Sequence, residues 1–336
     1  MEVREYTADD RDAVAGSVAI LNACRDLETP WLPAVTPYRR EMQVRYSWDG
    51  TPVLHLLGCA DGVPVAVAEL EVGEWDNRDF AWLGLTVHPA HRRLGHGTSM
   101  LEVLTERACA RGCTKIGGAG WELEPTQAFA ARHGYQLAAQ EICRVQHPQD
   151  LPAPLASELY AESAASGSDY ELLRIAGRVP DDLLDPVVTL TAAINDAPTD
   201  DLDIEDEVFT SERVRSYEES TIRSGHRLYR IVARHRVTGT LGGHTLVAVD
   251  EDDDTLAYQH DTSVAREHRG HRLGLLLKAD MMRWLGESEP QVESIYTWNA
   301  ESNDHMIAVN QRLGYRIAGR ELEFQRRLPG GDASAR

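Results

Sequence analysis

Apolar positions along the chain follow two spacings, that of strands and that of helices. A run of apolar and β-branched residues at 255–264 is followed by a turn containing Gly and Arg, and then by apolar residues at helical spacing from position 273 onward. The run predicts a strand and the spacing of three and four predicts a helix. The same succession occurs earlier, where a strand at 80–87, a similar turn and a helix at 97–111 are predicted.

The two stretches are parts of a longer internal repeat. Residues recur at a constant separation of 177 positions (269 − 92 = 177): Val87, His91, Arg92 and Trp121 match Val264, His268, Arg269 and Trp298. An Arg-x-Gly-Tyr sequence recurs at a separation of 180, as Arg132 to Tyr135 and as Arg312 to Tyr315. This places three extra residues after the tryptophan of the second copy. Self-similarity at a constant separation indicates a duplicated unit.

Each half is predicted to contain a strand, two helices, three strands, a helix, a strand, a helix and a strand. The order indicates an α+β fold, a mixed α/β sheet layered with helices, in two tandem domains. We expect domains at 1–147 and 169–328, a Pro/Ala/Ser-rich linker at 148–168 that is helical in part, and a disordered tail at 329–336.

Composition narrows the classes of partner. The 336 residues carry a formal net charge of −20, which argues against broad binding to nucleic acid or anionic membranes. All five cysteines lie in the first half without the spacing of a zinc site, so free thiols and no bound metal are expected. No apolar run approaches the ~18 residues of a membrane span. We therefore expect a cytoplasmic protein that acts on a small molecule; the pattern leaves monomer and dimer open.

The repeated strand–turn–helix is suited to binding an anion. The first-turn N–H groups of a helix have no intrahelical partner, and the positive end of its dipole points to the same place. Glycine allows a ligand to approach the backbone, and Arg or His adds positive charge. The turns therefore predict a phosphate site in each half.

The motif resembles that of the GNAT superfamily of acyl-CoA-dependent N-acetyltransferases, in its tandem actinobacterial form. The superfamily signature is Arg/Gln-x-x-Gly-x-Gly/Ala; residues 92–97 match it, and residues 269–274 have Arg272 in place of the middle glycine. The resemblance implies acetyl-CoA or coenzyme A as the ligand and makes these the expected contacts: Val87, Arg92, Arg93, Leu94, Gly95, His96 and Gly97 in the first half, and Val264, Arg269, Gly270, His271, Arg272, Leu273, Gly274, Asn299 and Asn303 in the second.

The resemblance also places Asn310 where the family has a tyrosine that protonates the leaving thiolate, and Ala130 at that position in the first half. The second half at least retains polar groups there. Asn303 also fits the role of an N-cap for its own helix, and both roles are compatible.

Three carboxylates are candidates for the general base that acyl transfer to an amine needs. Asp261 stands inside a predicted strand, where Asp is disfavoured, and the first half has Gly84 at that position. An ion pair with a neighbouring Arg is the competing interpretation. Glu205 and Glu207 lie in an acidic loop that would wall the acceptor pocket in this fold; a solvated run of charge is the alternative.

These residues predict an N-acyltransferase that moves an acetyl group from acetyl-CoA to a primary amine of a small metabolite. The amine would attack directly in a ternary complex, in the C-terminal domain. Two alternatives remain at this point: a non-catalytic acyl-CoA sensor, motivated by the missing tyrosines, and catalysis in the N-terminal domain.

Overall fold

A computed structural model of the chain describes residues 1–328, so the tail expected at 329–336 lies outside the described residues. The chain divides into two compact units. Unit 1 comprises Met1–Gln140, Asp201–Glu205 and the stretch from Glu321 onward, and unit 2 comprises Glu141–Asp200 and Asp206–Arg320.

The elements occur in the predicted order. From the N-terminus they are β1 (Glu2–Glu5), α1 (Arg11–Glu28), α2 (Pro37–Arg45), β2 (Val53–Ala60), β3 (Val63–Val72), β4 (Phe80–Val87), α3 (His96–Ala110), β5 (Lys115–Trp121), α4 (Glu124–Arg132) and β6 (Gln136–Gln146). There follow α5 (Leu155–Ser166), β7 (Tyr170–Ala176), α6 (Asp181–Thr191), α7 (Ser211–Arg223), β8 (His226–His235), β9 (Leu241–Asp250), β10 (Leu256–Val264), α8 (Leu273–Ser288), β11 (Ser294–Ala300), α9 (Asp304–Arg312) and β12 (Arg316–Arg327).

Local chemistry explains several of these boundaries. The side chain of Asp10 accepts a hydrogen bond from the Ala13 amide and caps α1, and that of Thr36 caps α2 in the same way. Asp61 and Gly62 both have positive φ, as the tight β2–β3 hairpin requires.

Both units have the same sheet topology, which confirms the predicted α+β fold. The strand order is β1-β2-β3-β4-β5-β12 in unit 1 and β7-β8-β9-β10-β11-β6 in unit 2. In each, the fourth and fifth strands pair in parallel and the other neighbours pair antiparallel. A parallel pair needs a crossover, which α3 provides in unit 1 and α8 in unit 2.

The last strand of each unit comes from the other half of the sequence. Glu321–Arg327 of β12 pairs with β5 in unit 1, whereas Glu141–Gln146 of β6 pairs with β11 in unit 2. The unit boundaries therefore differ from the expected 1–147 and 169–328, because periodicity predicts a strand but not the sheet edge that the strand joins.

The expected linker at 148–168 is largely structured. Helix α5 occupies most of it and packs along α8 within unit 2. Apolar residues of α5, among them the buried Leu159, join the main core of that unit. The partial helix expected at this point is present, and it is an integral layer of unit 2.

Strand register corrects one detail of the repeat. Trp121 lies opposite Glu321, but the equivalent residue Glu141 lies opposite Ala300 rather than Trp298. The tryptophan match is therefore coincidental. Extra residues fall before β11, because α8 has 16 residues against 15 in α3 and its connection to the next strand is longer too.

Candidate coenzyme and acceptor sites

Both Gly/Arg turns lie at strand-to-helix junctions. In unit 1, Arg93 (φ 65°) and Gly95 (φ 88°) adopt the left-handed conformation between β4 and α3. In unit 2, Gly270 (φ 87°) and Arg272 (φ 56°) do so between β10 and α8. The turns thus use left-handed residues at the same two positions with Gly and Arg exchanged. Arg272 therefore preserves the geometry of the turn, at a local cost of about 1–2 kcal/mol.

The turns expose main-chain donors. Within the described chain, the amides of residues 93–98 and 270–275 donate to no backbone carbonyl, and neither helix has a side-chain cap. A buried or ligand-facing amide requires an acceptor. Each turn can therefore hold an anion such as a diphosphate.

The first arginine of each motif is tied to the end of the preceding strand. Arg92 Nε donates to the Val87 carbonyl at 3.0 Å, and Arg269 Nε donates to the Val264 carbonyl at 3.1 Å. Each guanidinium also forms a salt bridge with an acid, Glu28 for Arg92 and Asp196 for Arg269. The arginines therefore brace the two turns, and their contact with a coenzyme stays a prediction.

The surroundings of the two turns differ. Leu94 is 66% exposed, and the α3 first turn is open or half-buried, whereas residues 273–275 of α8 are buried beside α5. Arg272 forms a salt bridge with Glu162 of α5, which also pairs with Arg312. The turn of unit 1 is therefore the more accessible of the two.

A β-bulge distinguishes β10 from its counterpart β4. The register of β10 against β9 shifts by one residue between Gln259 and Thr262, while β4 pairs with β3 without a shift. In addition, β10 pairs with β11 only through Leu256–Tyr258. The bulge takes His260 and Asp261 out of the ladder, which leaves main-chain groups free for a ligand at this point.

Asp261 is half-buried, and its charge acts on Tyr217 of α7. The polar cluster of Asp261 with Tyr217, Arg230, His244 and His260 is called the recess below. Within the described residues its carboxylate forms neither a hydrogen bond nor a salt bridge, so the competing ion-pair interpretation is not supported. Removal from water raises the pKa of Asp261, and the positive charge of Arg230 opposes this only in part. A carboxylate with a raised pKa is a suitable proton acceptor near neutral pH.

Histidine and tyrosine complete the recess. The hydroxyl group of Tyr217 of α7 is hydrogen-bonded to His260 Nδ1. Burial and nearby positive charges lower the pKa of His260 to about 3, so this imidazole stays neutral. Arg230 Nη1 donates to His244 Nδ1 at 2.8 Å, and both residues are buried. Sequence reasoning missed Arg230, His244 and Tyr217, although a charged residue within an apolar strand is a usable signal.

The expected asparagines divide between two roles. Asn303 caps α9, accepting from the Met306 amide at 3.2 Å, as the alternative interpretation expected. Asn310 is fully buried, accepts from Lys278 Nζ at 2.5 Å and donates to Asn299 Oδ1 at 2.7 Å. Burial lowers the pKa of Lys278 to about 7. Asn310 therefore bridges Lys278 of α8 and Asn299 of β11, and its catalytic role stays a prediction.

The acidic loop lies elsewhere than expected. Asp203 binds Lys115 and Arg327, and the main chain of Glu205 binds Asn77, all within unit 1. Glu207 is exposed and pairs with Arg213. Glu205 and Glu207 are both exposed, and lysine, arginine and asparagine side chains hold this loop along its length. The interpretation as a solvated run of charge is favoured.

Unit 1 has a polar cluster of its own on β2, β3 and α2. Arg40, with its side chain 4% exposed, binds Glu69 Oε1 at 2.6 Å and Tyr6 at 2.6 Å. Although burial opposes ionisation, the nearby His55 and Arg40 lower the pKa of Glu69 to about 2. Glu69 is therefore an ion-pair partner and a poor base at neutral pH. Glu69 lies on β3, which has β2 on one side and β4 on the other, so it is not at an edge of the sheet.

Replacing Glu69 by Gln is expected to destabilise unit 1 by about 3 kcal/mol, since it leaves the buried Arg40 guanidinium without a counter-charge. Because the pKa of Glu69 is lowered, its stabilisation is present above its usual 4.5 and is lost as the pH falls towards 2. Thermal unfolding between pH 7 and pH 3 measures both effects. The exposed Glu74→Gln is the control, and equal stability of the two variants would contradict the assignment.

Part of the sequence is similar to known acetyltransferases. The model of the acetyltransferase (GNAT) family matches residues 21–135. A mycothiol acetyltransferase of Kineococcus radiotolerans is 36% identical over 123 residues, which cover 35% of this chain and 39% of that protein. The match thus spans well under half the length of the curated relative.

Solved structures match along the whole chain. A tandem GNAT protein from the clavulanic acid biosynthesis pathway, solved without acetyl-CoA, superimposes with a TM-score of 0.79 at 24% identity, covering 98% of this chain and 99% of that one. A GCN5-related N-acetyltransferase from Sphaerobacter thermophilus gives 0.67 at 16% identity, covering 100% and 98%.

The fold is that of a tandem GNAT protein. The residues that match the model of the acetyltransferase (GNAT) family, 21–135, lie within unit 1. No helix among residues 1–328 is long and apolar enough to cross a membrane, and no group of three or more His, Cys, Asp or Glu in that range could hold a metal ion.

Proposed function

We propose that the protein is an N-acyltransferase that transfers an acetyl group from acetyl-CoA to a primary amine of a small metabolite, with catalysis in unit 2. The observation that carries the proposal is the β10 bulge, which combines free main-chain groups with the unpaired carboxylate of Asp261. Unit 1 has Gly84 and an unshifted strand at the corresponding place, and its nearby Glu69 is held as an ion pair.

The reaction follows from these groups. The amine nitrogen forms a bond to the acetyl carbon, the carbon–sulfur bond breaks, and the sulfur takes a proton from solvent. Asp261 accepts the proton that the amine loses. Main-chain N–H groups of the bulge donate to the acetyl oxygen as negative charge develops on it.

The amides of residues 270–275 would hold the diphosphate of the coenzyme, and those of residues 93–98 form a second such site in unit 1. Arg269 and Arg92 act on these sites indirectly, by fixing the end of the preceding strand. Asn299 would contact the pantetheine arm where β10 and β11 separate.

The direct test measures thiol release from acetyl-CoA with a panel of primary amines. Amine-dependent release is expected. Binding of acetyl-CoA without release on any amine would instead support an acyl-CoA sensor, the alternative that the absent tyrosines favour.

Gly274→Glu tests which turn holds the coenzyme. A Cβ at Gly274 would meet nothing within 4 Å, so a side chain can be accommodated, but the carboxylate would place negative charge beside the α8 amides and repel the diphosphate. We expect a loss of at least about tenfold in acetyl-CoA affinity, or about 1.4 kcal/mol. Gly286→Glu is the matched control, since it adds the same side chain to the same helix in equally open space. Unchanged affinity measured by calorimetry would move the productive site to unit 1.

A further inference from the structure

The recess in unit 2 contains a buried cation that no carboxylate neutralises directly. Arg230 is 3% exposed, and its guanidinium forms no salt bridge with any described residue. The nearest acids are Glu218 and Asp261. Glu218 is engaged by Arg215 at 2.8 Å and by the Val179 amide at 2.9 Å. An unpaired buried guanidinium is costly, and burial lowers the pKa of Arg230 accordingly.

A second donor lies beside it. Arg230 donates to His244 Nδ1, so that nitrogen is the acceptor and the proton of the neutral imidazole resides on Nε2. Burial and the charge of Arg230 keep the pKa of His244 well below its usual value. His244 is 0% exposed, and its Nε2 has no hydrogen-bond partner in the described chain. Buried donors are nearly always satisfied, so this N–H indicates an absent acceptor.

The two donors share one layer with the reacting groups. Arg230 on β8 and His244 on β9 are in direct contact, and the charge of Arg230 acts on both Asp261 and Tyr217. The recess therefore offers a carboxylate for an amine and, on the same side of the sheet, a guanidinium with an imidazole N–H for an anion. Arginine with a second donor matches the geometry of a carboxylate.

We propose that this recess selects an acceptor that carries a carboxylate as well as the reacting amine, as an amino acid does. The inference rests on the proposed acetyl transfer in unit 2. Arg230 and His244 would bind the carboxylate, and Asp261 would receive the proton of the amine. Neutralisation of Arg230 by the substrate would complete the charge balance of the recess.

The test compares acceptors in pairs. Each common L-amino acid is assayed against the primary amine that its decarboxylation produces, with thiol release from acetyl-CoA as the signal. We expect kcat/KM to be at least about 100-fold higher for the best amino acid than for its amine. Arg230→Met should abolish this preference, because kcat/KM should fall by a much larger factor for the amino acid than for the plain amine. Arg234→Met should retain it, because Arg234 is a half-buried arginine of the same strand that pairs with Glu171.

The possible failures are distinguishable. Release with amines but without preference for the carboxylate would overturn this inference and leave acetyl transfer standing. A uniform loss of rate in Arg230→Met for both members of a pair would show a purely structural arginine and would also overturn it.

Absence of release with every acceptor would contradict the proposed function. Calorimetric titration of the same amino acids and amines into the wild-type protein would then decide the present inference by itself. If Arg230→Met does not fold, the wild-type preference and His244→Phe provide the same comparison; the latter removes the second donor and the acceptor of the Arg230 hydrogen bond but keeps the guanidinium.

Discussion

Replacing Asp261 by Asn is expected to lower kcat by about 10²- to 10⁴-fold, the usual contribution of a positioned general base. The amide has nearly the shape of the carboxylate but cannot accept the proton of the amine. Steady-state thiol release at a saturating amine concentration measures the effect. Asp254→Asn, at an exposed position just before the same strand, is the matched control and should retain full activity.

The same variant should be more stable than the wild type at neutral pH. The pKa of Asp261 is raised by burial, so its protonated form favours the folded state, and this contribution is lost as the pH rises through the raised pKa. Asn removes that cost.

The pH profile provides a further check. Activity of the wild type should fall as the pH drops through the pKa of Asp261, and this acidic limb should be absent from the residual activity of the variant. Lower activity together with lower stability would instead indicate an aspartate that holds the fold, and would refute its role as the base.

The repeat and the two turns could be predicted from the sequence because their determinants are local. Apolar spacing predicts β10 and α8, and the glycine and arginine between them predict the turn. Arg272 in place of the usual glycine is explained by the backbone. Both turns have two left-handed residues, Arg then Gly in unit 1 and Gly then Arg in unit 2. Asp261 was singled out by its poor fit to a strand, and it lies at the bulge of β10.

Groups that act through distant partners could not be predicted. Lys278 continues the apolar run of α8, and nothing local shows that it meets Asn310 from another helix. The acidic loop was expected to line a pocket, but its partners Lys115 and Arg327 lie far away in sequence. In the sequence pattern Arg230 is only one polar residue in a predicted strand. The pairing of β8 with β9 brings it to His244.

A chain that ends at residue 320 is expected to lose the folded state of unit 1, although every element removed belongs to the second half of the sequence. The missing part of β12 pairs along the whole of β5, and it contributes the buried side chains of Leu322, Phe324 and Leu328. At about 1.5–3 kcal/mol for each buried side chain, the loss is about 5–9 kcal/mol. This is comparable with the entire stability of an ordinary domain.

Hydrogen exchange resolves the outcome for each unit of that truncated chain. Amides of β4 and β5 should exchange rapidly, whereas those of β9 and β10 in unit 2 should stay protected, because β11 keeps its pairing with β6. A chain that ends at residue 328 keeps the strand and is the control. The exposed edge of β5 would also promote association between chains. Slow hydrogen exchange in β5 after the truncation would mean that unit 1 is stable without β12. The pairing of β12 with β5 would then contribute little to the stability of that unit.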